Sequence, residues 1–232
     1  MSPLQVFLSV VVAGAIMPSS FAGGSCPHQH YPWDVAETYR CNDKDQTSYE
    51  LIVCASGPDG FDENEKDFDV AREMIDYTNL KITLDNLAGT TFFIPYDLAF
   101  HRLHAALLEK KEHELIYDES ATVQYLKTSF NATEMTKVLQ YHISPIEYTF
   151  LNLQKEITIE TLYNQRIVLS EKAEKTSNCK KRVRLCDEFR LDALINGKKL
   201  KDGFPKIHNK FQDLHTKNGI AHVIKGVLIP KL

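Results

Sequence analysis

Apolar positions follow a helical period up to Pro145 and a strand period after it. Phe68, Ala71 and Ile75 recur at i, i+3 and i+7, and Leu80, Leu84 and Leu87 at i, i+4 and i+7, which predicts two helices stopped by Gly89. "TTFFIP", residues 90–95, is β-branched and aromatic and closes on proline, the pattern of a short buried strand. A helix restarts with Asp97 in its first turn, where a carboxylate favours the dipole, and its apolar face is Ala99, Phe100, Leu103 and Leu107. Further helical turns are predicted near residues 121–130 and 133–141.

Beyond Pro145, "ITIETL" and "QRIVLS" read as strands on either side of a turn at Tyr163-Asn164. Val183, Leu185, Phe189, Leu191, Ala193 and Ile195 alternate with charged residues, one face buried and one wet. Asn196-Gly197 ends that run with a hairpin signal. "GIAHVIKGVLIP" is apolar on both faces until Lys225, so it is expected at the centre of a sheet, terminated by Pro230. Helices first and an antiparallel sheet afterwards give the α+β class. No internal repeat is visible, so a single domain is expected.

The N-terminus changes the picture of where the chain works. Val6 to Met17 is an apolar run broken only by Ser9 and Gly14, followed by Pro18 and the small-x-small pattern Ser20-Phe21-Ala22. The run is short for a membrane span and fits a signal-peptide core, although the terminal amine is its only preceding positive charge. Residues 1–22 are read as a signal peptide, 23–48 as a cysteine-containing extension and 49–232 as the main domain. No later run is long enough to span a membrane, and the C-terminus carries no retention or lipid-anchor signal, so a secreted, extracellular protein is expected. Composition is that of a globular protein, with 43% hydrophobic and 25% charged residues. The net charge of −4 gives no general field for nucleic acid.

Secretion makes the five cysteines candidates for disulfides. Cys179 and Cys186 are close in sequence and distant from the others, and a bridge between them would contribute about 2.5 kcal/mol in the chain-entropy picture. Pairing among Cys26, Cys41 and Cys54 stays open. Asn131-Ala132-Thr133 is a glycosylation sequon.

Several clusters invite chemistry. "SGPDGFDENEKDFD" is acidic but lacks the spacing of an EF-hand, and reads better as a solvated linker leading into a helix. Asp97, His101 and His104 share one side of a helix opposite its apolar stripe, so a solvated polar face is weighed above a metal set. Cys26, His28 and His30 have metal-ligand types, but a disulfide would remove the thiolate. Lys180, Lys181, Arg182 and Arg184 crowd the presumed Cys179–Cys186 loop, either as an ordinary solvated excursion or as a contact for acidic glycans. No catalytic, phosphate-binding or dinucleotide motif stands out, and neither a metal nor a cofactor is expected. In "VLQYHISP", Met135, Val138, Leu139 and His142 fall on one helical stripe, which makes His142 a core residue and turns Tyr141 away toward exposure. His222 is likewise read as core.

Three ordered segments carry a family resemblance. "TTFFIPYDLAFHRL" is similar to the strand-Pro-x-Asp-x-Ala-Phe segment of fasciclin domains, "MTKVLQYHISPIEYT" to their Leu-x-x-Tyr-His-x-x-Pro segment, and "KNGIAHVIKGVLIP" to their Asn-Gly-x-x-His-Val-Ile terminus. The likeness covers about residues 66 to 230. Tyr96 departs from the pattern by replacing a small hydroxyl residue, as does Lys225 by replacing an acidic one. The resemblance implies N-terminal helices packed against an antiparallel β wedge or sandwich. It implies adhesion or matrix contact, at times through integrin-like receptors, with a recognition role for Tyr141 and His142 and no catalysis. The alternative it leaves is a carrier of an apolar pigment or lipid.

Overall fold

Capping chemistry starts the helical half. Thr47 Oγ1 accepts the N–H of Glu50 at 3.2 Å and Glu50 Oε2 accepts that of Thr47 at 2.7 Å, a reciprocal box that opens helix α1, Ser48–Ala55. A disulfide from Cys41 to Cys54 ties α1 to the chain before it. The computed structural model describes residues 41–57, 60–62, 64–154, 158–172, 188–191, 194–195, 198–199, 207–208 and 211–232. Helices α2 (Asp69–Tyr77), α3 (Lys81–Asn86), α4 (Asp97–Leu107), α5 (Glu119–Ser129) and α6 (Ala132–Tyr141) follow the predicted stripes. Asn131 caps α6 in a second box with Glu134, both bonds at 3.0 Å.

The strands are β1 (Thr90–Pro95), β2 (Ile143–Ser144), β3 (Thr158–Glu160), β4 (Arg166–Lys172), β5 (Glu188–Leu191), β6 (Leu194–Ile195), β7 (Lys198–Lys199), β8 (Leu214–Thr216) and β9 (Gly219–Ile224). A four-stranded sheet has the order β2–β1–β9–β8, which puts β9 inside as its apolar faces predict. The α+β class holds. The β1–β2 and β8–β9 pairs are antiparallel, but β1 and β9 run parallel from Thr90↔Gly219 to Pro95↔Ile224. Parallel neighbours need a long crossover, and the helices and hairpins between them supply it. β9 stops at Ile224 rather than Pro230, because Lys225 breaks the apolar run and its carbonyl is taken by Arg102 at 3.3 Å.

Two cores lie on opposite faces of β1. Phe92 and Ile94 pack into the helices with Phe68, Phe100 and Leu126, while Phe93 points the other way to Tyr141, Ile159, Ile167 and Leu228. That second core is roofed by the β3–β4 hairpin, whose turn holds Asn164 at φ 59°. β5 pairs with β4, and β6 pairs with β7 on either side of Asn196-Gly197, which themselves lie outside the described residues.

Asn218 and Gly219 close the β8–β9 turn and lock it to the helices. Asn218 Oδ1 accepts the N–H of Ser48 at 2.9 Å, and its Nδ2 donates to Leu87 O at 2.8 Å. Gly219 has φ 146°, and a Cβ there would stand 2.1 Å from the carbonyl oxygen of Thr90. Only glycine tolerates that approach.

Candidate functional site

Tyr141 and His142 end α6 at the point where the helical half meets the sheet. His142 is the C-cap residue and is completely buried. Its Nδ1–H donates to Val138 O at 2.8 Å, and its Nε2 accepts the N–H of Leu228 at 2.9 Å. A carbonyl on one nitrogen and an amide donor on the other fix one neutral tautomer. Burial pulls its pKa down to about 4. Tyr141 is not exposed, contrary to the helical-wheel expectation. The chain turns at His142 and β4 crosses the ring, leaving 6% exposure, and the phenol donates to Arg166 O at 3.0 Å.

His222 is also fully buried and takes the opposite tautomer. Its Nδ1 accepts the N–H of Asp213 at 3.2 Å and its Nε2–H donates to Tyr148 O at 2.8 Å. Burial lowers its pKa too. Asp213 in turn accepts the N–H of Phe150 at 2.7 Å, and Thr91 Oγ1 bridges Ile146 O and Tyr148 N at 2.8 and 2.7 Å. Together these bonds hang the segment 145–152 on the edge of the sheet. Along it Ile146 is 49% and Leu151 70% exposed. Sequence reading singled out the two histidines and missed this segment, because its shape comes from partners distant in sequence.

A second cluster lies where the N-termini of α2, α4 and α5 converge. Asp97 Oδ2 and Oδ1 accept the N–H groups of Asp69 and Val70 at 2.9 and 3.0 Å, so α4 caps α2. Asp97 N donates back to Asp67 O at 3.1 Å. Glu119, in the first turn of α5, accepts the N–H of Asp62 at 3.0 Å and the Tyr117 hydroxyl at 2.8 Å. Burial raises the pKa values of Asp67 and Asp97, which face each other. Burial pushes Glu119 up to about 7, against the Tyr117 hydrogen bond. Asp69 rises to about 7 for the same reason, though Arg72 at 2.8 Å lowers it. The acidic stretch is therefore not a solvated linker throughout: its end folds inward because Asp67 and Asp69 sit at a helix start facing another helix start.

The Asp97, His101 and His104 side of α4 is buried as well, not solvated. α5 and the turn at Tyr117 cover it: the His104 ring stacks on Tyr125 at 4.2 Å with Nδ1 3.2 Å from Thr122 Oγ1, and His101 packs edge-on to Tyr117 at 5.2 Å. The two imidazoles do not join Asp97 in a ligand set among the described residues. Beside His101 an open cleft of about 360 Å³ is lined by Glu65, Glu112, His113 and Tyr117 together with Leu98 and Leu115, a mixed polar and apolar wall. Tyr96 stands where the resemblance has a small hydroxyl; its OH accepts from Arg102, which also pairs with Glu112 at 2.8 Å.

Asn131 is exposed at the start of α6, with its Oδ1 engaged in the cap. The signal segment, Cys26, His28, His30, Cys179, Cys186 and the basic residues Lys180, Lys181, Arg182 and Arg184 lie outside the described residues.

A family model described as "Fasciclin domain" matches residues 66–230, more than half of the chain. The chain belongs to the fasciclin-domain family. Among solved structures it is similar to a FAS1 domain pair from the insect cell adhesion molecule fasciclin I, at 18% identity and a TM-score of 0.49, covering 80% of this chain and 51% of that one. The chain thus spans about half the length of that solved domain pair. No curated protein matches its sequence. Among the described residues, no helix is long and apolar enough to cross a membrane.

Proposed function

We propose that this chain is a secreted binding module, used in adhesion through contact with extracellular proteins, matrix or glycans, and that it performs no catalysis. The observation that carries this reading is the fasciclin-domain match over residues 66–230. The Cys41–Cys54 disulfide supports an oxidising, extracellular location. Tyr141 and His142 are too buried to meet a partner directly. The exposed segment 145–152, held by His222, Asp213 and Thr91, is the recognition surface, where Ile146 and Leu151 offer apolar anchors to an integrin-like receptor or matrix protein. The basic residues Lys180, Lys181, Arg182 and Arg184 supply a separate charge-based contact for acidic glycans.

The test is attachment. Purified protein immobilised on a surface is expected to retain cells or matrix proteins at physiological salt, and failure to retain either contradicts the reading. Changing the four basic residues to Ser is expected to abolish heparin retention; unchanged elution removes the glycan part alone.

A further inference from the structure

We propose that Asp67, Asp97 and Glu119 form a binding site for one calcium ion, with Asp62 and Asp69 at its border. Each of the three carboxylates offers an oxygen, these oxygens lie within 4.8 Å of one another, and the residues come from three separate segments. Asp62, Asp67 and Asp69 form a second, overlapping group within the same distance. Calcium takes oxygen ligands at about 2.3–2.6 Å, so two ligands on opposite sides of the ion stand about 4.6–5.2 Å apart, and this set fits inside its shell. The donors of both groups are all carboxylate oxygens, which select a hard cation over zinc or copper.

The site's own hydrogen bonding leaves room for that ion. Asp67, Asp97 and Glu119 are 6%, 0% and 3% exposed. Buried charge of one sign needs a counter-charge or a proton. Among the described residues the cationic side chain that reaches the cluster is Arg72, and it pairs with Asp69. Backbone N–H groups and the Tyr117 hydroxyl serve Asp97 and Glu119. Asp67 Oδ1 and Asp69 Oδ2 are buried with no hydrogen-bond partner. Helix N-termini already stabilise the ionised carboxylates, so the ion adds modestly and affinity falls in the range of extracellular calcium modules, on the order of 10⁻⁴–10⁻³ M.

The experiment is a calcium titration of the full chain stripped with chelator. Melting temperature is expected to rise by about 5 °C at saturation. Terbium excited through tyrosine is expected to luminesce, because Tyr117 touches Glu119, and calcium is expected to displace it. Asp67→Asn and Glu119→Gln are each expected to weaken both responses by roughly tenfold or more. An unchanged melting temperature up to about 10 mM calcium, well above the expected affinity, overturns the proposal. So does an undiminished response in both variants. Should the variants not fold, wild-type terbium emission that calcium fails to displace overturns it alone.

Discussion

His142 Nε2 accepts the backbone N–H of Leu228 at 2.9 Å, joining the end of α6 to the chain beyond β9. The same imidazole donates through Nδ1 to Val138 O, so both nitrogens are used and the ring is neutral. His142→Ala removes both bonds, leaves a buried N–H unpaired and opens a cavity, and is expected to cost about 3 kcal/mol in urea unfolding.

The neutral ring gives the fold a pH signature. The folded pKa is about 4 against 6.5 for an unperturbed histidine, so the unfolded chain binds the proton more readily. Stability from this group is full above about pH 6.5 and falls as pH drops toward 4. Between pH 7.5 and 4.5 the stability advantage of wild type over His142→Gln is expected to shrink by roughly 2–3 kcal/mol. Taking the difference removes the buried carboxylates, whose raised pKa values act in the opposite direction in both proteins. A gap that stays constant with pH contradicts the neutral tautomer.

Gly219 faces Thr90 with no space for a side chain, and its φ is unfavourable for any other residue. Gly219→Ala is expected to destabilise by about 3 kcal/mol or more, because the β1–β9 ladder must separate at its start. Equilibrium unfolding measures it, and a loss under about 1 kcal/mol contradicts the register.

Asn131 allows glycan and cap to be separated. If the sequon is used, Thr133→Ala removes the glycan and keeps the cap, whereas Asn131→Ala removes both and is expected to cost about 1 kcal/mol more. Gel mobility before and after endoglycosidase reports the glycan, and thermal melting reports the cap.

Much of this architecture was legible in local patterns. The stripes of Phe68/Ala71/Ile75 and Leu80/Leu84 became helices, "TTFFIP" became β1, and the doubly apolar Ile220–Ile224 became an inner strand. Hydropathy could not show that Asp67, Asp69, Asp97, His101 and His104 are buried. Polar side chains go inside when partners such as Thr122, Tyr125 and the N–H groups of α2 satisfy them, and those partners are set by helix packing. The parallel pairing of β1 with β9 was hidden for a similar reason, since pairing direction depends on a crossover of more than a hundred residues. The helical wheel misplaced Tyr141 because the stripe ended one residue later and the next layer, β4, lay beyond its reach.

Recognition is proposed to lie in the exposed segment 145–152, while Tyr141 and His142 stay buried and touch no partner. Cell or matrix attachment by the Ile146→Asp, Leu151→Asp double variant, measured beside its melting temperature, tests this most directly. Both side chains are exposed, so the melting temperature is expected to stay within about 2 °C of wild type while attachment is lost. Attachment that persists in this folded variant contradicts the claim.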